Sequence, residues 1–85
     1  MYQLNLDGRA QKDLDRLHGK TLRRVLEALT ARRENPRPPG CLKLRGAEDA
    51  YRLRVGDYRV LYSVDDGAQT IMVWRVRHRR EAYRE

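Results

Sequence analysis

Arginine is the residue whose number and spacing can carry chemistry in this chain. Of 19 basic residues only Lys12, Lys20 and Lys43 are lysines, which leaves 19 − 3 = 16 arginines. A guanidinium group is a planar, permanently charged fork that matches phosphate and stacks on bases. Arg52 and Arg54 precede a Gly56-Asp57 pair and Arg59 follows it. Further on, the stretch Arg75 to Arg84 supplies Arg77, His78, Arg79, Arg80 and Tyr83. Histidine changes charge closest to neutral pH and is the best-matched proton carrier in the chain.

Other spacings fail as sites. Gly19-Lys20-Thr21 resembles the end of a phosphate-binding loop, but that loop needs a glycine at position 14, which is Leu14. Asp65-Asp66 falls in a turn, where aspartate is expected anyway. Cys41, His18 and His78 have no zinc-ligand spacing, nothing activates Cys41 as a nucleophile, and Ser63 has no base in reach. What remains is a metal-free site of Arg, His and Tyr, with no cofactor called for.

The elements that must position these residues follow from pattern. Tyr2 to Leu6 alternates and predicts a short strand. Asp7 can cap a helix over 8–18, with Ala10, Leu14 and Leu17 on one face. Gly19 interrupts, and a second helix is predicted over 20–34, where Leu22, Val25, Leu26 and Leu29 recur at helical spacing. Asn35-Pro36-Arg37-Pro38-Pro39-Gly40 ends it as a stiff connector, and Leu42 to Gly46 is ambiguous. Alternating strands are predicted near 50–55, 58–64 and 70–77. The fold class is therefore α+β, a single domain over 1–85 in the order β-α-α-β-β-β. Its two helices cover one face of a four-stranded, mostly antiparallel sheet.

Turn chemistry then sets which side chains share a face. A two-residue Gly56-Asp57 hairpin places Arg54 opposite Arg59 and Leu53 opposite Val60. A two-residue Asp66-Gly67 hairpin would place Tyr62 opposite Ile71, Val60 opposite Val73 and Arg59 opposite Trp74. One face then collects Tyr51, Leu53, Val55, Tyr58, Val60, Tyr62, Val64, Ile71 and Val73 for the helices. The other collects Arg52, Arg54, Arg59, Leu61, Ser63, Met72 and Trp74. Like charges facing each other across strands cost up to ~1 kcal/mol. A sheet has reason to keep Arg54 against Arg59 if both converge on one anion, with Trp74 as a stacking surface. The alternative is an ordinary solvated, arginine-rich face.

Composition bounds the setting. Eighty-five residues with a net charge of +7 suggest a small domain with a polyanionic partner, usually nucleic acid. The longest strictly apolar run is Ile71 to Trp74, far short of the ~20 residues of a membrane span. No signal-peptide pattern opens the chain and one cysteine forms no internal disulfide, so a cytoplasmic protein is expected.

At this point the residues resemble a known family. Lys43-Leu44-Arg45-Gly46, the run from Tyr51 to Tyr62, and the run from Val76 to Arg84 resemble the RelE/ParE superfamily, toxins of type II toxin–antitoxin systems. The resemblance spans essentially the whole chain. RelE-type members are ribosome-dependent mRNA endonucleases acting in the ribosomal A site, and ParE-type members inhibit DNA gyrase. Carried over residue by residue, the RelE-type active site falls on Arg52, Arg54, Arg59, Arg79 and Tyr83, with His78 beside Arg79. That set favours the RelE type. Some relatives have a lysine at the position of Arg54 as proton acceptor. Arginine is a poor base, so proton transfer is expected to move to His78 or Tyr83.

The expected catalytic residues are thus Arg54, Arg59, His78, Arg79 and Tyr83. Arg52, Lys43, Arg45, Trp74, Arg77 and Arg80 are expected to hold RNA. The helix arginines Arg23, Arg24, Arg32 and Arg33 are expected to dock on ribosomal RNA. The expected partners are an antitoxin, the ribosome and mRNA. The alternatives are a ParE-like gyrase inhibitor and a non-catalytic RNA-binding domain.

Overall fold

The computed structural model describes residues 1–46 and 48–82, with the side chains of Glu81 and Ala82 left aside. Strand β1 (Gln3–Leu6) leads into helices α1 (Gly8–Asp15) and α2 (Gly19–Ala31). Strands β2 (Leu42–Lys43), β3 (Ala50–Val55), β4 (Tyr58–Asp65) and β5 (Thr70–His78) follow, then a single turn, α3 (Arg79–Ala82). The Asp7 carboxylate accepts from the Arg9 amide at 3.0 Å and starts α1 where the sequence places it. Gly19 separates the helices at φ +58°, a left-handed conformation that costs glycine nothing.

The sheet has five strands in the order β1-β5-β4-β3-β2. β1 runs parallel to β5, and the other neighbours are antiparallel. The fifth strand is the ambiguous segment, two residues long, pairing Leu42 with Arg52 and Lys43 with Tyr51. Val60, Tyr62, Val64, Ile71 and Val73 are buried under the helices together with Ala10, Leu14, Leu17, Val25 and Leu29. Each buried Val, Leu or Ile side chain among these stabilises the fold by roughly 1.5–3 kcal/mol. The α2 stripe splits, however: Val25 and Leu29 are buried, while Leu26 is 44% exposed. Val25 and Leu29 are four apart and point one way; Leu22 and Leu26 are also four apart and point to the side.

The β3–β4 register is as the turn chemistry requires, with Arg54 paired to Arg59 across Gly56, whose φ is +59°. The β4–β5 hairpin corrects the expectation. Its loop is four residues, 66–69, because the Asp65 carboxylate accepts the Ala68 amide at 3.0 Å and Gln69 takes a φ of +53°. Val64 therefore faces Ile71 and Tyr62 faces Val73. A β-bulge follows: the next pair is Leu61 with Arg75, so Trp74 is the extra residue. One inserted residue exchanges the two faces of everything beyond it. Val76 turns inward and is 3% exposed. Arg77, not Trp74, stands opposite Arg59, and His78 stands opposite Tyr58.

β1 stops at Leu6, so the outer edge of β5 is open beyond Val73. Asp13 of α1 closes it. Its carboxylate accepts from the Val76 amide at 2.9 Å and from Arg75 at 2.9 and 3.2 Å. Burial alone would push the Asp13 carboxyl up. The Arg75 guanidinium and the Val76 amide outweigh it and hold the carboxyl below its ordinary value.

Candidate functional site

The register places Arg54, Arg59 and Arg77 in one row across β3, β4 and β5. Paired residues share a face, so the three side chains leave the sheet on the side away from the helices, although only Arg54 and Arg59 of the row line a common cleft. Arg79 joins them at the strand end. Its amide donates to the Asp57 carbonyl at 2.8 Å, which ties the start of α3 to the tip of the β3–β4 hairpin. Arg54, Gly56, Asp57, Tyr58, Arg59 and Arg79 together line a small cleft of about 50 Å³. Arg52 lies one row back and shares a neighbouring depression with Arg54, Arg59 and Leu42. The Arg54 Nε donates to the Gly56 carbonyl at 3.3 Å, which holds its side chain toward the hairpin tip. Among the described residues no carboxylate pairs with Arg52, Arg54 or Arg79.

The other expected site residues sort by face. His78 is not in the arginine cleft. It lies on the helix side in a recess of about 90 Å³ with Asp13, Arg16, Leu17 and Tyr58. Its ring meets Tyr58 edge-on, 5.2 Å between centroids, and its Nδ1 accepts from the Arg80 amide at 3.3 Å. The bulge at Trp74 is the reason, since it sends alternate residues of β5 to the opposite side. Trp74 itself leans back over β4, its indole donating to the Ser63 hydroxyl at 3.1 Å. Lys43 is in register with Tyr51 and exposed, and Leu42 takes the position beside Arg52 on the arginine face. Arg45 and Arg80 are exposed. Tyr83 lies outside the described residues.

Arg77, expected to hold RNA, stands in register with Arg59 rather than at the strand's edge. The signal present was Val76: an apolar residue between two arginines belongs on the core face, which puts Arg77 on the outer one. The cleft also contains Asp57 and Tyr58, read at first only as a turn residue and a core residue. Chemically, the arrangement can hold an oxyanion between convergent, permanently charged donors.

The chain matches the family described as ParE toxin of type II toxin-antitoxin system, parDE, over residues 4–83. It is 32% identical to Toxin RelG of Mycobacterium tuberculosis, across 98% of this chain and 97% of that protein. It is 28% identical to Putative toxin RelE1 of Methanocaldococcus jannaschii, across 98% and 96% respectively. The archaeal RelE–RelB complex from Pyrococcus horikoshii OT3 superimposes with a TM-score of 0.82 at 32% identity, covering 92% of this chain and 94% of that one. The isolated E. coli RelE toxin superimposes with a TM-score of 0.81 at 28% identity, covering 99% and 97%.

Proposed function

Because this chain belongs to the RelE/ParE family of type II toxin–antitoxin toxins, we propose that it is an mRNA endonuclease working in the ribosomal A site. The observation that carries this reading is the Arg54–Arg59–Arg77 row with Arg79 at its end. Like charges set in adjacent register weaken a sheet, and an anionic ligand offsets that cost.

In the proposed reaction the 2′-oxygen of one ribose attacks the adjacent phosphorus, and the 5′-oxygen of the next nucleotide leaves. The products are a 2′,3′-cyclic phosphate and a 5′-hydroxyl. Arg54, Arg59, Arg77 and Arg79 stabilise the charge that grows on the equatorial phosphorane oxygens. A preorganised donor of this kind typically contributes ~3–4 kcal/mol. No metal is needed where cations already surround the phosphate. Arg52 and the exposed Trp74 hold neighbouring nucleotides. Proton transfer falls to Tyr83, one of the two carriers expected once arginine at position 54 is set aside as a base. His78 touches Tyr58 rather than the cleft, so its part is to fix that ring.

The partner that restrains the protein is an antitoxin, as in the RelE–RelB complexes among its structural relatives. The charge of +7 suits both an acidic antitoxin segment and ribosomal RNA. A second reading, inhibition of DNA gyrase, is favoured by the ParE description of the matching family.

Expression in bacteria with primer extension on mRNA, beside a supercoiling assay, separates the two. The endonuclease gives ribosome-dependent breaks inside reading frames and leaves supercoiling intact. Blocked supercoiling without mRNA breaks would overturn the endonuclease reading.

A further inference from the structure

Arg24 stands apart from the other helix arginines. It projects from α2 and lays its guanidinium against the β3–β4 turn. A β-carbon built at Gly56 would stand 3.8 Å from its Nη1 and 3.9 Å from both its Cζ and its Nη2. Three near-equal distances mean that the group lies flat over the turn. There it lines a second depression of about 260 Å³ with Thr21, Val55, Asp57 and Tyr58. This depression shares Gly56, Asp57 and Tyr58 with the Arg54–Arg59–Arg79 cleft, so the hairpin tip is a saddle between the two.

The two hollows differ in size. The first, at about 50 Å³, is on the scale of one or two waters at ~30 Å³ each and suits a single phosphate group. The second is several times larger and mixes a hydroxyl, an apolar wall, a phenol and a guanidinium. Together their walls carry four guanidinium groups (Arg24, Arg54, Arg59, Arg79) against the one carboxylate of Asp57, a net of 4 − 1 = +3. Among the described residues no carboxylate pairs with Arg24. Glycine at the saddle leaves room for the Arg24 guanidinium to lie against the turn.

We infer that Arg24 and Thr21 form a second subsite, which binds the phosphate and ribose next to the scissile phosphodiester of a single-stranded RNA draped over the Gly56 turn. The inference rests on the proposed RNA substrate. Arg24 here is a binding residue that sets where the strand lies, not one that acts on the reacting phosphorus.

The test uses the purified full chain and a 2′-O-methyl trinucleotide, which has two phosphodiesters and cannot be cleaved. Two further probes carry an uncharged methylphosphonate in place of one phosphodiester or the other. With the unaltered protein, each neutralisation should weaken binding about fivefold, the upper range for an exposed charge pair. Arg24→Ala should bind the parent trinucleotide about fivefold more weakly and respond to only one of the two neutralisations. Its salt slope should fall by about 0.7, one phosphate's share on a single strand. Arg24→Lys should recover part of the affinity, and Lys12→Ala, on the exposed side of α1, should match the unaltered protein. Arg24→Ala responding to both neutralisations as the unaltered protein does, or no binding of the trinucleotide at all, overturns the subsite. Loss of the endonuclease reading with the two-phosphate response intact would leave it standing.

Discussion

The two ends of the sheet use the same residue in opposite ways. At the β4–β5 end, Arg37 from the proline connector is fully engaged. It grips Asp66 through two bonds of 3.1 and 2.9 Å, donates to the Tyr51 hydroxyl at 2.7 Å, and has Asp49 within 3.7 Å. Tyr2 donates to the same Asp66, so the N-terminal segment, the connector and the hairpin loop meet at one carboxylate. The Arg37 and Tyr2 bonds hold the Asp66 carboxyl below its ordinary value. At the β3–β4 end, Arg54, Arg59 and Arg77 stand in register on adjacent strands, with Arg79 beside Arg54 and Arg59 in the cleft. A guanidinium matched to a carboxylate is structural cement. A row of them in adjacent register is a concentration of like charge, which the proposed function assigns to an anionic substrate. The first arrangement adds stability, and the second gives up stability for binding.

The contrast is sharpest in activity. Arg79→Ala or Arg59→Ala should lower ribosome-dependent mRNA cleavage by about 10²–10³-fold, as for loss of one preorganised donor. Arg37→Ala, assayed alongside, should cleave normally. Equal losses at both ends would erase the distinction between them.

Next in size is a stability effect at the other engaged arginine. Asp13→Ala removes the partner of Arg75 and leaves the Val76 amide without its acceptor. A broken buried pair of this kind costs about 3 kcal/mol, read by urea unfolding. A cost near zero would mean that the open edge of β5 is closed by something else.

A third experiment tests sign rather than size. Arg37→Ala should destabilise by about 1 kcal/mol, since its pair with Asp66 is largely exposed. Arg54→Thr should stabilise by about 0.5 kcal/mol, because it removes one of two like charges in direct register. The same sign for both would break the comparison.

The smallest effect is in acid. The Asp13 and Asp66 carboxyls are both held below their ordinary value, so the folded chain binds their protons less readily than the unfolded chain. Their stabilisation is complete above the unfolded carboxyl pKa of about 3.9 and fades as pH falls through the lower folded values. Urea midpoints should therefore drop below about pH 4, and by less in Asp13→Ala. An unchanged acid limb in that variant would remove Asp13 from the account.

What local chemistry governs could be read without coordinates. Gly56-Asp57 between two alternating runs specifies a two-residue turn, and a two-residue turn admits only the Arg54–Arg59 pairing. Val60, Tyr62 and Val64 alternate into the core for the same reason, and Asp7 caps α1 as its type predicts. These are outcomes of contacts a few residues apart. The second hairpin escaped because Asp65 captures the Ala68 amide and stretches the loop to four residues. The extra residue at Trp74 leaves one faint trace in the chain, the odd spacing of the buried Val73 and Val76, and the Val76 amide beyond it is held by Asp13, more than sixty positions away on the chain. From that one insertion follow the inward turn of Val76, the promotion of Arg77 into the central row, and the separation of His78 from it. The amino-acid order alone therefore established the charge, the first turn and the core face. Long-range packing settled which arginines of β5 stand in the row with Arg54 and Arg59 and which meets the Asp13 carboxylate, since one residue of register inverts a strand and only distant partners choose it.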